Sequence, residues 1–131
     1  IMADESCGDP HDAARLIAIY ACDYFNIKIG KAGGLLNAKK IVELADKANI
    51  KMQVGAMIES RLAMTAFAHF ACCSPNIVHF DFDTALMFRE DPVEGGICYG
   101  KKGKIHLPDL PGLGARISEE WLAKMESVQF A

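Results

Sequence analysis

Phe25-Asn26-Ile27-Lys28-Ile29-Gly30-Lys31-Ala32-Gly33-Gly34 is the stretch whose reading decides the fold. An apolar, partly β-branched run carries polar residues at alternate positions and ends on glycines. Alternation puts Asn26 and Lys28 on one face of a strand and Ile27 and Ile29 on the other. Gly33-Gly34 stands ahead of a helical pattern. It could expose amides to a phosphate, but a bare glycine pair reads better as a tight turn.

Working outward, the run recurs at a period of roughly 25 residues. Ile1-Met2-Ala3, Ile50-Lys51-Met52-Gln53-Val54 and Ile77-Val78-His79-Phe80 are the other members. Three helical stretches lie between them. The first has Asp9 as N-cap and Pro10 at the first helical position, with Ala13, Leu16, Ile17 and Tyr20 at helical spacing. The second runs from Gly34 to about Ala48, with Ala38, Ile41, Val42 and Ala45 on one stripe. The third, from about Arg61 to Cys73, is nearly all apolar or small and predicts burial. Strand, helix and strand at fixed period predict right-handed parallel βαβ units, and three units suit either an open doubly wound sheet or a segment of an eight-stranded barrel.

After Asp83 the rhythm changes. Ile97-Cys98-Tyr99, glycines around Lys101-Lys102, and Lys104-Ile105-His106-Leu107 predict a β-hairpin. Pro108 to Gly114 cannot continue regular structure. Ser118 caps a final helix through about Met125. The expected division is residues 1–83 as barrel and 84–131 as a C-terminal segment packing on it and on a further domain.

Composition narrows the partners. The chain has 131 residues, 51% hydrophobic and 24% charged, with a formal net charge of −3. That charge gives no reason to expect nucleic acid or an anionic membrane, and no apolar run approaches the roughly 18 residues of a membrane helix. No stretch reads as a secretory signal. The five cysteines, an odd number without zinc spacing, read as buried reduced thiols of a cytoplasmic protein. The chain opens inside an apolar run, as if entering mid-strand, so residues are expected upstream of Ile1.

Ionisable residues collect where the strands end. Asp4 with Glu5, Lys28, Glu59, and Asp81 with Asp83 fall at or just beyond four successive strand ends, the rim on which a parallel barrel builds its active site. Singly each has an ordinary reading: a solvated loop for Asp-Glu, an edge-strand lysine, an exposed turn for Asp-Phe-Asp.

The motifs MADES at 2–6, NIKIGKAGG at 26–34, GAMIES at 55–60, FDFD at 80–83, and EGGICY through LPDLPGLG carry a resemblance. The chain resembles the second half of the (βα)8 barrel of the enolase superfamily, in its muconate-lactonizing branch, and most of all its dipeptide epimerases of the L-Ala-D/L-Glu type. The resemblance implies an isomerase: Mg²⁺-dependent epimerisation of dipeptides by 1,1-proton transfer through an enolate, a chemistry for which this superfamily is a standard example.

Residue by residue, the resemblance implies that Asp4 is the third carboxylate ligand of Mg²⁺. It implies that Lys28 is the acid/base on one face of the substrate, with a pKa brought down from about 10.4 toward neutrality. Asp81 and Asp83 match the pair that receives a dipeptide's N-terminal amine. Ala56 and Ile58 match positions lining the pocket, and Glu59 matches a supporting glutamate. Two further metal ligands, a lysine for the opposite face and a capping domain belong to the family but match nothing in these residues. The expectation is that this stretch alone is inactive and joins the remainder of a longer polypeptide, with a small dipeptide as ligand and self-association open. The alternatives are an N-acylamino acid racemase or cycloisomerase of the same superfamily, and a non-catalytic half-barrel fragment.

Overall fold

The computed structural model describes residues 1–129. Four strands, β1 (Met2–Ala3), β2 (Tyr24–Lys28), β3 (Lys51–Gly55) and β4 (Ile77–Phe80), form one sheet in the order β1-β2-β3-β4, every neighbour parallel. Helices α1 (Pro10–Ala18), α2 (Leu35–Lys47) and α3 (Arg61–Ala71) fill the three crossovers. The order settles what the repeat left open. A doubly wound sheet reverses direction at a switch point, whereas right-handed crossovers between strands in monotonic order stack every helix on one face. α1 packs on α2, and α2 on β2 and β3. This is a barrel segment, the C-terminal half of a TIM-type barrel.

Local chemistry explains the elements. The Asp9 carboxylate accepts from the Asp12 N–H at 2.8 Å and Pro10 opens α1. In the turn before α2, the Gly34 N–H donates to the Ile29 carbonyl at 2.9 Å, and Gly33 and Gly34 hold φ of +78° and +108°, which favour glycine. Gly33-Gly34 is therefore a tight turn. Phe25, Ile27, Met52 and Val54 point at the helices and are buried. Each such side chain contributes about 1.5–3 kcal/mol by leaving water. Ile41, Met64 and Ala45 answer them from α2 and α3.

One irregularity sets the face that matters. β2 and β3 run in step, with Asn26 opposite Gln53 and Lys28 opposite Gly55. Between β3 and β4 the register shifts: Met52 faces Ile77, but Gln53 faces His79 and Val54 faces Phe80. A one-residue slip moves every later side chain to the other face. In unbroken register Asp81 would point at the helices. The bulge turns His79 and Asp81 to the face shared by Asn26 and Lys28, and sends Phe80 and Phe82 toward α3.

Beyond Asp83 a 3-10 turn (Thr84–Met87) leads to two small antiparallel pairs. β6 (Cys98–Tyr99) pairs with β7 (Ile105–His106), the expected hairpin, shorter than its apolar run. β5 (Val93–Gly95) pairs with β8 (Ala115–Ile117), a contact the sequence pattern did not reveal. Ser118 caps α4 (Glu119–Leu122), its hydroxyl accepting from the Trp121 N–H at 3.2 Å.

Three expectations are corrected. α4 stops at Leu122 rather than Met125, because no buried face holds its last turn. Tyr20 lies outside α1: the helix ends at Ala18, and Tyr20 turns to φ +52° with 94% of its surface exposed. The cysteines are all free, but only Cys7 is buried, and burial pushes its thiol up to about 11. Cys22 is half-buried, while Cys72, Cys73 and Cys98 are exposed, the first two because α3 ends just before them. Among the described residues no helix is long and apolar enough to cross a membrane.

Candidate active site

The strand ends converge on one carboxylate. Asp4 follows β1 directly, and its two oxygens take donors from β2 and the turn after it. Lys28, the last residue of β2, lies 3.0 Å from Oδ2, and the Asn26 amide donates to the same oxygen at 2.9 Å. Lys31 donates to Oδ1 at 2.8 Å and also to the Asp4 carbonyl. Burial works against the charge of Asp4, but the hydrogen bonds from Lys31, Lys28 and Asn26 outweigh it and hold its pKa below the usual carboxylate value.

Lys28 is well covered, with 14% of its side chain exposed, and it reaches Glu5 at 3.2 Å as well. Its hydrogen bond to Asp4, assisted by Glu5, raises its pKa above the ordinary lysine value. The fall toward neutrality expected of an acid/base lysine is therefore absent from these residues, because two carboxylates favour the ammonium form.

Across β3 stands the aspartate pair. Asp81 is raised by burial first and then by the neighbouring Asp83 carboxyl, against the Ala56 N–H and the Lys28 charge, which lower it. Two carboxyls that near each other favour sharing one proton or one cation. Phe82 between them is buried and Asp83 is exposed. Ala56, just past β3, is buried with its N–H on Asp81, whereas Ile58 is 75% exposed. Asp4, Lys28, Ala56, Asp81 and Asp83 are thus brought together, and Ile58 stands out at the rim. Glu59 keeps one carboxylate oxygen buried without a partner, while its carbonyl accepts from Thr84 at 3.3 Å.

Sequence reasoning gave no role to Asn26 or Lys31. The Asn26 side-chain oxygen, Oδ1, is buried and unpartnered, resting over Gly55, where a Cβ would lie 2.2 Å from it. Lys31 sits in a loop, where strand parity says nothing. The turn in which the Ala32 N–H bonds the Lys28 carbonyl swings it back over β1.

The donor set suits a hard divalent cation as one part of a site. Asp4 is ionised, half-exposed and at a strand end, with an orphaned amide oxygen next to it. It supplies one carboxylate. Among the described residues the single cluster of three acidic or histidine ligands is Asp9, His11 and Asp12 at the start of α1, and Asp9 and Asp12 are occupied in capping. The apolar clefts, one of about 400 Å³ beside Phe80 and Leu107 and one of about 520 Å³ beside Leu36 and His69, lie on the helix side, away from the cluster.

Residues 1–121 match the family described as Enolase C-terminal domain-like. Over 128 residues the chain is 50% identical to a D-Ala-D/L-Ala epimerase of Cytophaga hutchinsonii, covering 98% of this chain and 35% of that protein. It is 45% identical over 114 residues to an L-Ala-D/L-Glu epimerase of Bacillus subtilis, covering 87% of this chain and 31% of that one. A crystal structure of a dipeptide epimerase from C. hutchinsonii, complexed with Mg and the dipeptide D-Ala-L-Val, superposes with a TM-score of 0.93 at 51% identity, over 96% of this chain and 34% of that one. The chain spans about a third of the length of the relatives it matches.

Proposed function

We propose a function from one established premise: this chain belongs to the Enolase C-terminal domain-like family. It is the C-terminal part of a Mg²⁺-dependent dipeptide epimerase, one that moves the α-proton next to a dipeptide's free carboxylate from one face to the other. The observation that carries the reading is the pairing of Lys28 on Asp4 with the close carboxyls of Asp81 and Asp83 across β3.

Asp4 would hold the cation, which supplies positive charge for the substrate's carboxylate and for the charge that develops as the proton leaves. With Asp4 so engaged, Lys28 loses the partner that most favours its ammonium form. It can then take or return a proton at Nζ on its own face. Asp81 and Asp83 receive the dipeptide ammonium, replacing mutual repulsion by two charge-assisted hydrogen bonds. The Ala56 N–H keeps Asp81 turned inward. The further metal ligands and the opposite acid/base would come from residues outside this stretch, which itself is inactive. Cytoplasmic placement suits its five free thiols.

An N-acylamino acid racemase or cycloisomerase has no use for an ammonium-binding pair. The polypeptide that completes the barrel is incubated in deuterium oxide with Mg²⁺, free-amine dipeptides and N-succinyl amino acids. Deuterium should enter the dipeptides. Entry confined to the N-succinyl compounds would overturn the reading.

A further inference from the structure

The backbone of residues 81–83 is held by three successive hydrogen bonds, and one of them comes from a side chain of the C-terminal segment. The Asp81 N–H donates to the Val54 carbonyl at 3.0 Å, continuing the strand ladder. The Asp83 carbonyl accepts from the Leu86 N–H at 2.8 Å, closing the 3-10 turn. Between them the Phe82 carbonyl accepts from the Tyr99 hydroxyl at 2.6 Å. The outer two bonds belong to the strand ladder and the turn; the middle one is required by neither.

Tyr99 is itself firmly placed. The Ile97 N–H donates to the Thr65 hydroxyl at 3.0 Å, with both residues fully buried in or on α3. The Arg61 guanidinium, at the start of α3, reaches Asp91 and the carbonyls of Val93 and Gly95. The hydroxyl therefore extends from a segment fastened to the barrel helices. Its target lies between two like-charged side chains that would relax by turning apart. The peptide unit is planar, so fixing the Phe82 carbonyl fixes the plane from which Asp83 departs.

We propose that Tyr99 is a positioning residue for amine recognition: its hydroxyl, fixed on the Phe82 carbonyl, holds the Asp81 and Asp83 carboxylates convergent on one ammonium group. The proposal rests on the dipeptide reading above and assigns to the C-terminal hairpin a role in choosing free-amine substrates.

Tyr99→Phe removes the hydroxyl and keeps the ring. In the complete polypeptide it should raise KM for a free-amine dipeptide about tenfold, the equivalent of one neutral hydrogen bond, with kcat unchanged. In an Asp81→Asn background the same change should raise KM less than about twofold, since the partner it aims is already altered. Equal effects in both backgrounds, a loss of kcat alone, or a Tyr99→Phe protein that fails to fold would each overturn the assignment. Should the unmutated protein exchange no dipeptide, the functional reading fails instead, and a carbon-13 NMR titration of Asp81 still decides. With the carboxyls freed to separate, the Asp81 pKa falls toward its ordinary value in Tyr99→Phe; an unmoved titration overturns the proposal.

Discussion

Replacing Gly55 by alanine puts a methyl 2.2 Å from the Asn26 side-chain oxygen and 2.9 Å from its Cγ and Nδ2. Those approaches are far inside van der Waals contact, and Asn26 is only 7% exposed, so its amide has little room to retreat. Overpacking of this kind costs about 1–3 kcal/mol. Rotating the amide away also breaks its 2.9 Å bond to the Asp4 carboxylate, a charge-assisted contact worth about 1.5–3 kcal/mol. The expected destabilisation is about 2.5–6 kcal/mol, read by urea denaturation followed through helix circular dichroism. Asn26→Ala alone loses only the second contribution, about 1.5–3 kcal/mol. It also deletes all three atoms the new methyl would meet, so the double variant should be about as stable as Asn26→Ala by itself. Additivity of the two changes within about 0.5 kcal/mol would refute the argument that Gly55 exists to seat Asn26.

Asp81→Asn should raise KM for a free-amine dipeptide about 10- to 100-fold, as expected when one of two charge-assisted contacts is lost. It should also raise the melting temperature at pH 7. The sign follows from linkage: the folded pKa of Asp81 is raised, so its ionisation opposes folding above the ordinary carboxylate value of 3.8, and that penalty fades as pH falls through the folded pKa. The variant's thermal advantage should therefore shrink in acid, which melting curves across pH would check. Arg61→Ala strips a donor from the carbonyl of buried Val93, costing about 1–3 kcal/mol, and another from the exposed Gly95 carbonyl, which water can replace. Trypsin should then cut at Arg89 and Lys101 several-fold faster, a rate that limited proteolysis measures.

Much of the architecture was legible because each βα unit carries its own signals. Asp9-Pro10, the apolar stripe of α2 and the glycines before it are local, and they gave helix starts and the alternation of strand and helix without tertiary knowledge. Barrel and open sheet differ only in where strands lie relative to one another, which no window of this sequence encodes. The same limit applies to the site. Lys28 and the two aspartates showed themselves as charges at strand ends, but what turns Asp81 toward Lys28 is the register shift between the Met52–Ile77 and Gln53–His79 pairs. A bulge of that kind leaves no mark in alternation. Lys31, Arg61 and Tyr99 act across 17 to 36 residues of chain, so their partners became visible only in the folded molecule. Tyr20 failed for the converse reason: helical spacing continued past the point where the chain turned away from the core.

In the proposed epimerase Lys28 serves one face of the substrate's α-carbon while Asp81 and Asp83 hold the amine. Deuterium uptake by Lys28→Ala, in the complete polypeptide and with each dipeptide epimer supplied separately, tests it most directly. One epimer should lose exchange by about 10²- to 10⁴-fold, the contribution of a positioned acid/base, while the other still exchanges against the opposite group. Exchange retained at the parent rate for both epimers would contradict it.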